Sequence, residues 1–269
     1  MNNHLDEELL ALASRLAVQA GTMAREGRRK GVTAAATKST ATDMVTEFDK
    51  ASEELIVGGL RAARPDDGIV GEEGTDQPGT TGIDWLVDPI DGTTNFLYGL
   101  PGWAVSIAAR DATGARVGAV YVPATDELFT ARAGHGAHLN GEQIQPTTTT
   151  ELGLALVATG FSYSARRRAD QAARVAQLLP QVRDIRRGGA AATDLCHVAA
   201  GRVDAYFEQW LGPWDLAAGA LIAREAGCTV SALDGSEIRP DSVLVAAPGV
   251  HGAMRDLITQ IDDDLAKRA

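Results

Sequence analysis

Trp85-Leu86-Val87-Asp88-Pro89-Ile90-Asp91-Gly92-Thr93-Thr94-Asn95-Phe96 is the stretch on which the reading of this chain turns. Three apolar residues of strand type run directly into an acid, a proline and a second acid. Pro89 fixes its own φ and pushes Asp88 towards an extended conformation. The strand is therefore expected to end in a stiff turn that presents two carboxylates. Gly92-Thr93-Thr94 then reads as the start of a helix, whose first N–H groups lack intrahelical acceptors. Such an end suits a phosphate. Two acids beside an anion site would repel the anion, unless they hold divalent cations that bridge to phosphate oxygens.

Three further carboxylate-bearing segments surround this one: Gly71-Glu72-Glu73-Gly74, the stretch Asp43 to Asp49 with Thr46 inside it, and Trp214-Asp215-Leu216-Ala217-Ala218-Gly219. Taken singly, Asp88 and Asp215 read as helix caps, and Glu72 with Glu73 as a solvated surface pair. Taken together, carboxylates from separate segments converging on one place mark an oxygen-ligand Mg²⁺ site. Other patterns fail. Residues 74–81 have P-loop glycine spacing, but Thr80 stands where Lys is required. Asp88 and Asp91 fit neither an EF-hand loop nor a phospho-aspartyl phosphatase. His135 and His138 read as surface or strand residues, and Arg166-Arg167-Arg168 as a solvated helix face. Gln209-Trp210-Leu211 is either a packed loop or part of a substrate wall.

Periodicity supplies the elements around these motifs. Leu5, Leu9, Leu12, Leu16, Ala20 and Met23 recur at helical spacing over about 5–26. Residues 27–42 break that pattern as a loop or a hairpin. Thr46 with Asp49 marks a helix start, and Phe48, Leu55, Ile56 and Leu60 continue it to near Pro65. Strands follow at 85–87, 103–109 and 116–122, the last two paired across Asp111-Ala112-Thr113-Gly114, with shorter ones at 128–130 and within 134–140. The second half alternates strand and helix, with helices over about 165–179, 190–200, 215–226 and 249–267. Such alternation makes the chain α/β. The Thr run at 147–150 is the expected division between a sub-lobe of about 1–146, bearing the metal and phosphate motifs, and one of 147–269 on the substrate side.

The 269 residues include 25 Lys and Arg against 36 Asp and Glu, a formal charge of −11. That excess counts against a nucleic-acid binder, which needs a cationic field, and suits a protein that recruits cations. Cys196 and Cys228 read as buried thiols. The N-terminal residues have no signal-peptide pattern and no stretch is long enough to span a membrane, so a cytoplasmic protein is expected.

These segments resemble the inositol monophosphatase family, in order and spacing, from Lys38 to about Ala247. The resemblance implies a single domain over 1–269 with an αβαβα sandwich, two or three Mg²⁺ ions, inhibition by Li⁺ and a homodimer. By resemblance, Glu72, Asp88 and the carbonyl of Ile90 would hold one Mg²⁺; Asp88, Asp91 and Asp215 would hold the second. Glu72 would share a third, with Lys38 and Asp43 on the loop nearby. Thr93, polarised by Asp49, would orient the attacking water, Glu73 would support the metal ligands, and the amides of Gly92 and Thr93 would hold the phosphate. Glu208, Asp91 and the backbone at Ala191 would face a polyol. Ala190 stands where the family usually has Ser or Thr, which puts strict inositol selectivity in question.

The activity so implied is Mg²⁺-dependent hydrolysis of inositol 1-phosphate, with a small phosphorylated polyol as partner and neither nucleic acid nor membrane. The same chemistry on histidinol phosphate, fructose 1,6-bisphosphate or a nucleotide phosphate is the alternative. Binding to the transcription machinery is the alternative of another class.

Overall fold

The apolar stripe of the N-terminal segment is carried by α1 (Asn3–Arg28), which buries Leu9, Leu12 and Leu16. The computed structural model describes residues 3–31, 34–37 and 44–267. After α1, β1 (Ala34–Thr37) and β2 (Met44–Thr46) pair antiparallel, so the open choice at 27–42 resolves as a hairpin. Lys38 and Asp43 lie outside the described residues. α2 (Glu47–Ala63) opens on the capping box that Thr46 and Asp49 announce: the Thr46 N–H donates to Asp49 Oδ2 at 2.7 Å, and Thr46 Oγ1 accepts from the Phe48 N–H at 3.2 Å.

The first sheet is built from β3 (Gly68–Gly71), β4 (Asp76–Gln77), β5 (Asp84–Asp91), β6 (Ala104–Asp111), β7 (Gly114–Val122), β8 (Glu127–Arg132), β9 (Ala137–Leu139) and β10 (Glu142–Gln143), with α3 (Thr93–Tyr98) between β5 and β6. Its strand order is β10-β9-β8-β7-β6-β5-β3-β4. Then come β11 (Leu156–Thr159), α4 (Ala165–Leu178), β12 (Asp184–Arg186), α5 (Ala191–Ala199), β13 (Ala205–Glu208), α6 (Pro213–Ala226), β14 (Thr229–Ser231), β15 (Val243–Ala246) and α7 (Pro248–Ala266). The five strands among them form a second sheet in the order β12-β11-β13-β15-β14.

Three cores define the layering. Leu9, Leu16, Ile56 and Leu60 of α1 and α2 pack on Trp85, Val87, Val105 and Ile107 of the first sheet. Leu195 of α5 and Ala218 and Ile222 of α6 lie between the opposite face of that sheet, at Ala104, Ala108 and Val120, and the second sheet at Tyr206, Val243 and Val245. Leu178 of α4 and Met254 and Ile258 of α7 cover the far face at Phe207, Leu244 and Ala246. The order is helix, sheet, helix, sheet, helix, as the family resemblance implies. Each large aliphatic side chain buried this way contributes roughly 1.5–3 kcal/mol. Cys196 and Cys228 are buried free thiols. Among the described residues no helix is long and apolar enough to cross a membrane.

One expectation needs correction. The strand does not stop at Val87; β5 runs on to Asp91. Asp88 pairs with Ser106 and Asp91 with Ala104, so three steps on β5 match two on β6. The bend that Pro89 imposes is thus absorbed as a bulge inside the strand. Its consequence is chemical. Strict alternation would send Asp88 and Asp91 to opposite faces of the sheet. The bulge sets both opposite Ser106 and Ala104, which share a face, and that face looks towards α5 and α6. β3 was not foreseen, being four residues with glycine at both ends.

Candidate active site

A cleft of about 300 Å³ opens where β5, α3, α5, β13 and α6 meet. Its wall includes Glu72, Asp88, Ile90, Asp91, Gly92, Thr93, Ala190, Ala191, Glu208 and Asp215. The structure therefore brings together every metal, phosphate and polyol residue that the sequence singled out, apart from Lys38 and Asp43. Asp49 and Glu73 stand behind this wall.

Asp88 is 1 % exposed and accepts the Ile90 N–H at 3.0 Å. Burial holds its carboxyl well above the ordinary carboxylate range, and the charges of Glu72, Asp91 and Asp215 push it further. Asp91 is raised by burial and by Asp215 in the same way, although it accepts the N–H groups of Ala191 at 3.1 Å and Ala192 at 2.7 Å. Asp91 thus caps α5, and the backbone N–H of Ala191 turns to it. Asp215 likewise closes the first turn of α6 by accepting the Gly212 N–H at 2.8 Å. Ser106, opposite Asp88 on β6, donates to the Trp214 carbonyl at 3.3 Å and so ties α6 to the sheet.

Among the described residues, no three acidic, His or Cys side chains close on one point as a ready-made metal centre. The carboxylates ring the cleft instead, with Asp88 and Glu72 hydrogen-bonded to each other. Their chemistry still fits a hard divalent cation: oxygen donors only, four acids on one cleft, and at Asp88 and Asp91 burial that resists ionisation unless a positive charge arrives.

Facing the acids is the start of α3. Gly92 takes a left-handed φ of 88°, and an added Cβ would lie 3.0 Å from the carbonyl oxygens of Gly102 and Gly189. Glycine is therefore required there. Thr93 donates its hydroxyl proton to Asp49 Oδ1 at 3.0 Å, with the Ile90 carbonyl also near at 3.2 Å. Asp49 is fully buried, so this pair is held rigidly by the α2 cap.

On the opposite wall, Tyr206 donates to Glu208 Oε2 at 2.5 Å. Burial pushes the Glu208 carboxyl up to about 7, against the Tyr206 hydroxyl and the Arg187 charge, which pull it back. An added Cβ at Gly160 would sit 1.9 Å from Glu208 Oε2, so that glycine makes room for the carboxylate. Gln209, Trp210 and Leu211 line the cleft, and Leu211 also packs on the central core, so the segment has features of both readings. His135 is exposed and His138 lies partly exposed in β9, as expected.

The chain matches the inositol monophosphatase family over residues 5–265. It belongs to that family. An inositol-1-monophosphatase of Mycobacterium leprae is 43 % identical over 268 residues, covering 92 % of each chain. A Nus factor SuhB of Escherichia coli is 42 % identical over 229 residues, covering 84 % of this chain and 86 % of the relative. The solved structure of the extragenic suppressor protein SuhB of Bartonella henselae superposes with a TM-score of 0.89 at 32 % identity, over 94 % of this chain and 99 % of that one.

Two carboxylates around this family site escaped the sequence reading. Glu53 of α2, 4 % exposed, accepts the N–H groups of Glu73 at 2.8 Å and Thr75 at 3.1 Å and the Thr75 hydroxyl at 2.6 Å. It pins the Glu72-Glu73 turn; Gly71 must be small because a Cβ there would meet Glu53 Oε2 at 2.5 Å. Asp194 of α5, 4 % exposed, accepts from the N–H groups of Gly188 and Gly189, and burial, then Glu208, raises it to about 7. A signal was present for Glu53: Asp49, Ser52 and Glu53 are polar yet share the face of α2 that buries Ile56 and Leu60.

Proposed function

We propose that the protein is a Mg²⁺-dependent phosphomonoesterase acting on a polyol phosphate, with inositol 1-phosphate first among the substrates. The observation that supports it is the meeting, in one cleft, of Glu72, Asp88, Asp91 and Asp215 with the Thr93–Asp49 pair and with Glu208. Glu72, Asp88 and the Ile90 carbonyl would hold one Mg²⁺, and Asp88, Asp91 and Asp215 another. Such ions neutralise phosphate oxygens and acidify a bound water.

The rest falls to the chain. Thr93 donates its proton to Asp49, which leaves its lone pairs to accept a proton from the attacking water and so to aim it. The first N–H groups after Gly92 receive the phosphate. Glu53 and Glu73 steady the turn that carries Glu72. Glu208, once ionised, accepts two hydroxyl protons of a polyol. None of these groups forms a bond to phosphorus, so the work is positioning and charge stabilisation. Ala190 contributes no hydroxyl to the cleft, which widens the polyols that fit. A homodimer goes with this reading.

The test is phosphate release from inositol 1-phosphate, histidinol phosphate, fructose 1,6-bisphosphate and a nucleotide monophosphate, each at one low concentration, with and without Mg²⁺. Mg²⁺-dependent preference for inositol 1-phosphate is expected. Preference for another ester overturns the substrate; no release from any ester overturns the enzyme. A second reading, binding to the transcription machinery, is favoured by the 42 % identity to a relative named Nus factor SuhB. Purified transcription complexes binding the protein at micromolar concentration would support it; absence of binding there would remove it.

A further inference from the structure

The acids fill the depth of the cleft; its mouth is built differently. Arg167, Arg187 and Trp210 line it alongside Glu208. Arg167 is exposed and Trp210 is 37 % exposed, whereas Asp88 is 1 % exposed. Depth therefore separates a cation-seeking floor from an arginine-bearing rim.

The two arginines are not equivalent. Arg187 curls over Gly189, so that an added Cβ there would meet its Nη1 at 2.3 Å. Its charge acts on Asp194 and Glu208, lowering both. Arg187 is thus committed to the inner carboxylates. Arg167 is not: no carboxylate among the described residues pairs with it, and its guanidinium lies over the Trp210 ring, 4.8 Å from the centroid. Stacking uses the face of a guanidinium and leaves its N–H edge open to a planar or tetrahedral anion. The charge does nothing for its own helix, because a cation in the first turn of α4 opposes the helix dipole. Trp210 itself is held at a left-handed φ of 66°, unusual for a bulky residue.

We propose that Arg167, shelved on Trp210, is a specificity-determining residue: it receives a second anionic group, a phosphate or carboxylate, on a substrate whose first phosphate is at the floor. The class that this rim admits besides the monophosphate is a polyol phosphate with a second anion on the far side of the ring. Such an anion would otherwise face Glu208, which repels it, so it needs this cation. The inference rests on the phosphomonoesterase reading above.

The experiment compares inositol 1,4-bisphosphate with inositol 1-phosphate, in wild type and in Arg167→Gln and Trp210→Ala, with thermal midpoints to confirm folding. The ratio of kcat/KM, bisphosphate over monophosphate, is expected to fall about tenfold in Arg167→Gln and several-fold in Trp210→Ala. The wild-type ratio should also fall between 50 and 300 mM salt, since an exposed charge is screened. An unchanged ratio in Arg167→Gln overturns the proposal. If wild type releases phosphate from neither ester, the phosphatase reading fails on its own. The rim is then judged by calorimetry with Mg²⁺ present: a tenfold loss of bisphosphate affinity relative to monophosphate supports it, and equal losses reject it.

Discussion

Glu208 is a carboxylate whose usefulness depends on its charge. Only the ionised form accepts two polyol hydroxyls, yet burial raises it to about 7. It is protonated below that value and ionised above it. We therefore expect kcat/KM on inositol 1-phosphate to rise through about pH 7 on a limb that an aryl phosphate, lacking hydroxyls, does not share. Glu208→Gln should erase that limb and lower kcat/KM on inositol 1-phosphate about 10–100-fold, the cost of buried polar groups left poorly paired, with a smaller loss on the aryl ester. Parallel pH profiles and equal losses on the two esters would make Glu208 a structural residue. Asp194 belongs to the same scale by another route. It touches the Gly188 and Gly189 N–H groups, and Asn95 holds the Gly188 carbonyl at 2.8 Å. The loop carrying Arg187 and Ala190 is therefore gripped from both sides.

At the scale of elements, the bulge in β5 and the grip of α2 on the β3–β4 turn decide the site. Glu53→Ala would remove three hydrogen bonds to a buried carboxylate. We expect it to cost about 2–4 kcal/mol of stability and, because the freed turn carries Glu72, to raise the Mg²⁺ concentration for half-maximal phosphate release about 10–100-fold. Unchanged Mg²⁺ dependence would show that Glu72 needs no such support. This scale also marks how far the sequence could be read. Asp88, Asp91 and Thr93 were legible because proline and glycine punctuate their segment, and the Thr46–Asp49 cap because its spacing is local. The bulge was not, since it exists only in the register between β5 and β6. Nor was Asp194, because a lone acid on a helix says nothing of the loop it will meet; for Glu53 the polar run on the apolar face of α2 marks burial but not the turn it grips. β3 was hidden by its flanking glycines and its length of four residues.

At the scale of the whole molecule, the cleft lies where the layers meet. The first sheet supplies Asp88 and Asp91, the central helix α6 Asp215, and the second sheet Glu208. A cation bound there would add to the few polar ties, such as Ala192 to Asp91 and Ser106 to Trp214, that join these layers beside their apolar cores. The cluster also opposes folding, because Asp88 and Asp91 are buried among like charges. Both effects point to a linkage between Mg²⁺ and stability. At a Mg²⁺ concentration about 100 times its dissociation constant, stabilisation should be about 2.7 kcal/mol. For a chain of this size that is a rise of roughly 5–10 °C in the unfolding midpoint over a chelator-treated sample. Asp88→Asn removes one charge from the cluster. It should therefore unfold at a higher temperature than wild type in chelator, gain nothing from Mg²⁺, and release no phosphate. The combination separates a lost metal site from a damaged fold, since damage would lower the midpoint. A variant that still gained the full 5–10 °C would place the Mg²⁺ elsewhere and take Asp88 out of the site.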